Sequence, residues 1–477
     1  MTRILALILI VLFSSCCEKN AALNLTFTGD VFLNRGVADE LLLHGDSLLL
    51  NSIKAFSTRD YFIINYEGTF SKTRQPQDTG YKFRANHKLA SLLKLAGVTH
   101  ASVANNHSFD YGKEGFKTTL KILEQNNITP LGVGCHPVIL KKGKDQCAIL
   151  AASLTTNKKN FCLSSADRLK ENVQQFKTLH PNTPLILFLH WGLELQPRPE
   201  QWQVNLAKEL ARLGADAIIG HHPHVLQGIE FIGHVPVFYS LGNFLADAFL
   251  PSTDESIIVN MSVKDKIKAT HIVPISLKKY FPKRISQEKQ INIIRHLLQY
   301  SRNIAIVRHA HAWEVKRISD VDFTEASNLW LFSANDFVVA IKKLTSGKKI
   351  LTLLHDQGYS NSITLHGRLS EIRIADIDNN GSEDVILALR KKVKFDPTYK
   401  KRINIFSYRN GNLQPLWLGT KFIHDIISFD VLKTECKNYL STLESDSANH
   451  FYKRVYEWDN FGFALKKSYN WIGDIKK

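Results

Sequence analysis

The stretch VANNHSFDYG, Val103–Gly112, decides how this chain is read. It grows out of the apolar-leaning run GVTHASVA, which reads as a short buried strand, and then sets two amides, a His, an Asp and a Gly almost without spacers. Asn and His are poor residues for strand and helix interiors and favour turns. One reading is a turn that satisfies its own backbone, for which Gly112 is suited. The other is a group of metal ligands and proton donors, drawn from Asn105, Asn106, His107 and Asp110, held at the mouth of a sheet.

Working outward, β-rich runs alternate with helical stretches from Leu23 to about Ser276. LNLTFTGDVFL, YFIINYEG, THASVANNH, QCAILAASL, PLILFLHWG, ADAIIGHH and VPVFYSLGNF read as strands. HKLASLLKLAG, EGFKTTLKILEQN, ADRLKENVQQFKTL and EQWQVNLAKELARLG carry apolar residues at helical spacing. This alternation predicts a layered α/β domain. Nearly every strand ends in polar residues: Asp30, then Asn65 and Glu67, then His190 and Glu194, then His221, His222 and His224, then Ser240 and Asn243. Ligands bind at the carboxyl ends of strands in open α/β sheets. Carboxylates, amides and imidazoles together suit one or two divalent ions such as Mn²⁺, Zn²⁺, Fe²⁺ or Mg²⁺. Two such ions polarise an acyl or phosphoryl oxygen and activate a bridging water, and a nearby His protonates the leaving group. No Cys lies in these clusters, which argues against a structural zinc site. A single strand-end His is usually a satisfied core residue, and His100 is read that way. His222 and His224, one residue apart after a buried strand, are the strongest individual signal.

The ordered set TGD, NYEG, ANNHSFDYG, HWGLE, GHHPHVLQ and SLGNF resembles the CapA family. These are capsule-synthesis proteins linked to poly-γ-glutamate, within the calcineurin-like metallophosphatase superfamily. The resemblance covers residues 23–303. It implies a four-layer α/β/β/α sandwich with a dinuclear metal site. Carried over by motif, Asp30 is the first ligand and Glu67 the bridging carboxylate. Asn106 is the amide ligand, with His107 beside it as proton donor and Asp110 orienting His107. His190, His222 and His224 complete the ligand set. Arg84, Asn65, Glu194, His221 and Asn243 fall to substrate contact or to support of the ligands. Two departures stand out. The first motif, TGDVFLNRG, lacks the His that usually accompanies its Asp, and the bridging position is Glu rather than Asp.

The chain has 477 residues, which predicts two domains, with a boundary near 303–305. Residues 1–16 read as a signal: Arg3, an apolar run from Ile4 to Phe13, and small residues before Cys16. The end LFSSC resembles a lipoprotein signal in which Cys16 is acylated, tethering the protein to a bacterial membrane outside the cytoplasm; a plain cleaved signal or an uncleaved anchor is the alternative. No later segment approaches the run of about 20 apolar residues a spanning helix needs. Cys135 and Cys147 flank HPVILKKGKDQ and read either as a bridged hairpin or as buried thiols.

A net charge of +17 favours polyanions, and outside the cytoplasm these are acidic polymers or lipid headgroups rather than nucleic acid. Residues 305–477 read as a smaller β-rich domain without convincing repeats. There IADIDNNGSEDVIL sets Asp376, Asp378, Asn380 and Asp384 around Gly381, either as a calcium loop resembling those of FG-GAP or VCBS blades or as an Asx-rich turn. His309 and His311 in RHAHAW read as structural. The expected function is a surface-anchored, metal-dependent protein of poly-γ-glutamate capsule synthesis or export, working by metal-assisted hydrolysis or transfer. Its expected partners are an acidic polymer, the membrane and capsule synthase subunits. The alternatives are a non-catalytic polyanion-binding scaffold and a periplasmic phosphoesterase unrelated to capsule.

Overall fold

The computed structural model describes residues 22–471 apart from 58–59, 72–80, 156–163, 248–249, 251, 310–311, 356–357, 395, 420–421 and 461. The expected leader with Cys16, and His311, lie outside the described residues. Among those described, no helix is long and apolar enough to cross a membrane.

Two compact units emerge. The first runs to Gly228 and resumes from Ile232 to Ile293. The strands as far as Lys283, all in this unit except most of β9, are β1 (Leu23–Val31), β2 (Tyr61–Tyr66), β3 (His100–Ser102), β4 (Thr129–Leu131), β5 (Val138–Lys142), β6 (Asp145–Ser153), β7 (Leu185–His190), β8 (Ala217–His221), β9 (Ile229–Ile232), β10 (Val235–Phe238), β11 (Asn243–Leu245), β12 (Glu255–Val263), β13 (Ile267–Lys278) and β14 (Phe281–Lys283). Its helices are α1 (Arg35–His44), α2 (Ser47–Lys54), α3 (Leu89–Leu95), α4 (Gly112–Gln125), α5 (Ala166–Leu179) and α6 (Gln201–Arg212).

In the first sheet β1, β2, β3 and β4 lie side by side and parallel, β11 runs parallel to β1, and β12 and β13 continue it antiparallel. In the second, β6, β7, β8 and β10 are parallel, with β5 antiparallel at the edge. Alternation along each strand splits the apolar residues between two faces. Phe62 and Ile64 of β2 pack against α1–α4 in one core, while Leu185, Leu187 and Leu189 of β7 pack against α5 and α6 in another. The opposite faces meet each other: the Phe27 and Phe188 rings lie 5.9 Å apart, and the His221 ring donates from Nε2 to the Thr28 carbonyl at 2.9 Å. The result is the expected four-layer α/β/β/α order.

The second unit holds the rest of the chain from Ile294, together with Ile229–Phe231. It is almost all antiparallel strands. Two in-order four-stranded meanders, 368–417 and 425–470, follow a first group covering 304–365. The meander is the supersecondary unit of propeller blades, so the repeat exists in strand order although it is not visible as residue identity.

Helix α7, Gln287–Gln299, ends ahead of a turn in which Asn303 is left-handed at φ +56°. One sequence reading needs amendment. The bridged hairpin is absent. Cys135 is disulfide-bonded, but Cys147 is a buried free thiol. The β5–β6 register sets Leu140, not Cys135, opposite Cys147, and Cys135 lies before β5 begins.

Phe188, 1% exposed between the sheets, sets a first prediction. Phe188→Ala should lower stability by roughly 3–5 kcal/mol, seen as a lower denaturant midpoint with the slope unchanged. His100, buried at the start of β3, gives a second. Burial, with Lys94 nearby, pulls its pKa from 6.5 down to about 4. The fold therefore holds the neutral ring, so this contribution is complete above pH 6.5 and is lost as the pH falls from 6.5 to about 4. Its full size is about 3 kcal/mol. The loss of stability between pH 7.5 and 5 should be smaller in His100→Leu than in the native chain.

Candidate metal centre

The carboxyl ends of the parallel strands in both sheets converge. Asp30 at the end of β1 sits in register with Asn65 of β2 and Asn243 of β11. Asn65 Nδ2 donates to Asp30 Oδ1 at 2.7 Å and meets His190 Nδ1 at 3.1 Å. On the other side of the ring, His190 Nε2 lies 2.8 Å from Asn106 Oδ1.

The opening stretch divides its work between both readings. Asn105 builds the turn: its Oδ1 accepts from the His107 amide at 3.2 Å and from Ser108 Oγ at 2.9 Å, and its Nδ2 donates to the Tyr66 carbonyl at 2.8 Å. Gly112, at φ +69°, ends the turn and opens α4. That frees Asn106 and His107 to face the cluster. His107 Nδ1 lies 3.0 Å from Asp110 Oδ2, which also accepts from the Phe83 amide at 2.7 Å. Phe83 packs its ring 4.0 Å from the His107 ring, and Lys82 sits 3.6 Å from Asp110 Oδ1.

After β8 the backbone turns sharply. His222 and His224 both have positive φ, +98° and +59°, a strained conformation for residues other than Gly. Hydrogen bonds hold it: the His222 amide donates to Asp30 Oδ2 at 3.3 Å, and His224 Nδ1 lies 3.0 Å from Asp30 Oδ2 and 3.1 Å from Asn243 Oδ1. Asn243 in turn donates to the His224 and Thr253 carbonyls. The neighbouring His221 is fully buried between the sheets against Phe188, so it ties strands together and is not a substrate contact.

Glu67 is the centre of this arrangement. It is 0% exposed, and neither carboxylate oxygen has a hydrogen-bond partner. It belongs to two sets of potential ligand atoms, Asp30–Glu67–His224 and Glu67–His190–His222, each lying within 4.8 Å of one another. Burial pushes its pKa well above 4.5. Burial and then the neighbouring rings pull His190 well below its ordinary value and His222 down to about 3, so both are neutral and able to coordinate. Burial would raise Asp30, but the His224 hydrogen bond and charge hold it low. Burial would likewise lower His224, yet Glu67 and Asp30 push it up to about 9. A buried carboxylate without a hydrogen bond, beside the neutral rings of His190 and His222, is costly by itself and is what a divalent cation resolves. The donor set therefore fits one.

The remaining expected residues lie at the edge. Glu194 is exposed but forms a third set with His222 and His224. Arg84 is exposed, and among the described residues no hydrogen bond or ion pair joins its side chain to the cluster. The wall residues Phe32 and Phe83, in contact with His224 and His107, were not singled out from sequence, since an isolated Phe carries no signal of its own.

Two clusters in the second unit already hold a basic partner. In the Asp376 loop the turn is formed, with the Asn380 and Gly381 amides donating to Asp376, and Arg409 lies 3.2 Å from Asp378. Asp384 is buried there, with Oδ1 unpartnered and its pKa pushed to about 7 by burial and Asp378. Lys316 pairs with both Glu314 and Glu325 beside His309.

A test follows from the burial of Glu67. Without metal, Glu67→Gln should unfold at or above the temperature of the native chain, because it removes an unpaired buried acid. Saturating Mn²⁺ should stabilise the native chain, by about 2.7 kcal/mol at a hundredfold excess over Kd, and leave the variant unmoved in a thermal melt.

Comparison with known proteins agrees with the geometry. Residues 24–248, which contain every residue of the cluster from Asp30 to Asn243, match the family described as bacterial capsule synthesis protein PGA_cap. The capsule biosynthesis protein CapA of Bacillus anthracis is 29% identical over 291 residues, 56% of this chain and 71% of that protein. The PGA biosynthesis protein CapA of Bacillus subtilis (strain 168) is 28% identical over 325 residues, 64% of this chain and 83% of that protein. An uncharacterised protein of Sinorhizobium fredii is 24% identical over 303 residues, 46% of this chain and 65% of that protein. Through the domain that carries the converging strand ends, this chain is similar to the CapA family of bacterial capsule synthesis proteins, a family of the metallophosphatase-like superfamily.

Proposed function

We propose that this chain is an envelope-associated, metal-dependent protein of poly-γ-glutamate capsule synthesis or export, acting by hydrolysis or transfer on the acidic polymer or on a phosphorylated precursor. The observation that carries the reading is Glu67, buried, without a hydrogen bond among the described residues and shared between two ligand sets. The names of the two Bacillus relatives supply the capsule context, and the net charge of +17 suits a polyanion. An acylated Cys16 would hold the domain at a membrane surface.

When bound, two divalent cations would polarise the reacting oxygen and supply an activated water. The chain's own residues do the rest. Glu67 joins the two sets. Asn65 Nδ2 lies 3.1 Å from His190 Nδ1 and orients the ring so that Nε2 faces the ligand side. Asp110 holds the His107 ring by Nδ1 and leaves Nε2 facing the cluster, 3.9 Å from Glu67 Oε1. From there His107 can deliver a proton to a leaving group. Phe83 and Phe32 exclude water from one side.

One observation favours a second reading, a non-catalytic scaffold that holds polymer: the first motif brings no imidazole, so the Asp30 set has three members. The His107–Asp110 pair opposes it, since a holder needs no oriented proton donor. The decisive experiment uses the processed full-length chain loaded with Mn²⁺ or Zn²⁺, offered poly-γ-glutamate and simple phosphate esters. Asp110→Asn should keep its metal and lose about 10²-fold in turnover. Asn106→Ala with His190→Ala should lose metal and turnover together. Salt-sensitive polymer retention with no turnover of either substrate by the loaded protein would select the scaffold.

A further inference from the structure

Glu194 is the residue the cluster has not yet used. The HWGLE segment leaves β7 under tight control. The Trp191 amide bonds the His221 carbonyl at 3.0 Å, and its indole donates to the Tyr239 carbonyl at 3.0 Å. Gly192 turns at φ +90°, where a Cβ would come within 2.6 Å of the Gln203 side chain. Leu195 is left-handed at φ +61°, and its amide donates to the Pro223 carbonyl at 2.8 Å. The segment is thus folded onto the strained turn that carries His222 and His224. Between these fixed points, Glu194 brings a carboxylate oxygen within 4.8 Å of the ligand nitrogens of both imidazoles. Among the described residues it has no hydrogen bond or ion pair of its own.

The two ligand sets are unequal. Glu67, His190 and His222 are joined by the Asn106 amide oxygen, 2.8 Å from His190 Nε2, to make four donors. Asp30, Glu67 and His224 make three, because TGDVFLNRG supplies no imidazole. We propose that Glu194 is the fourth protein ligand of the Asp30 set, a carboxylate reaching in from the loop after β7 in place of a first-motif His. The inference rests on the metal-centre reading above. It adds a negative charge to that set and predicts a preference for an oxygen-loving ion such as Mn²⁺ there.

The test measures metal, not turnover. Full-length native protein, Glu194→Gln and Glu194→Asp are stripped, reloaded with Mn²⁺, and compared by mass-spectrometric metal content, competitive chelator titration and electron paramagnetic resonance. The expected result is two ions in the native chain with a spin-coupled signal. In Glu194→Gln one ion should weaken by at least 10-fold and the signal become that of isolated Mn²⁺, with partial recovery in Glu194→Asp. Two tightly held, coupled ions in Glu194→Gln would overturn the inference and leave the dinuclear centre standing. A single ion in the native chain would also overturn it. No bound transition ion in any of the three would instead fail the metal-centre reading on which it rests.

Discussion

A carboxylate buried without a partner is among the most expensive things a fold can hold, and Glu67 is one. Its position at the end of β2 puts it in two ligand sets that together draw on both sheets. Asp30 is held low by His224, His224 is held high by Glu67 and Asp30, and His190 and His222 are kept neutral by burial and by neighbouring imidazoles. Remove the carboxylate and the charge that holds His224 high goes with it. The supporting hydrogen bonds of Asn65, Asn243 and Asn105 make sense as a frame that keeps donors aimed at one point.

The layered fold delivers that point. Two parallel sheets stacked through Phe27, Phe188 and His221 bring the ends of β1, β2, β3, β7 and β8 to one edge. Strain is concentrated there: His222 and His224 adopt positive φ, and so does Leu195, whose amide donates to the Pro223 carbonyl between them. Such conformations persist only when the surroundings over-determine them, and here Asp30, Asn243 and Pro223 supply the bonds that do so.

Much of this was legible in the chain. The strand-end polar residues are short-range features, so Asp30, Glu67, Asn106, His190, His222 and His224 stand out from pattern and residue chemistry, and the structure brings them together. Helices with a clean apolar stripe, such as α5 and α6, were readable as well. Helices α1 and α2 were not, because their leucines run consecutively and Leu42 and Leu43 face solvent, which blurs the stripe. The Cys135–Cys147 hairpin bridge failed on register, a property that spacing does not specify. Arg84 stays outside the cluster for a similar reason: proximity in the chain to Phe83 does not aim its side chain inward.

The sequence by itself determined the kinds of donor and their order, since residue type and local pattern are written one position at a time. It also determined the α/β layering, which follows from hydrophobic period. Only the tertiary structure decided which donors come together. Glu67 serves two sets, Asn105 builds the turn while Asn106 faces the site, and His221 points between the sheets while its neighbour His222 points into the cluster. Those choices depend on register between strands distant in the chain and on backbone turns at single residues, and neither is set until both sheets have packed.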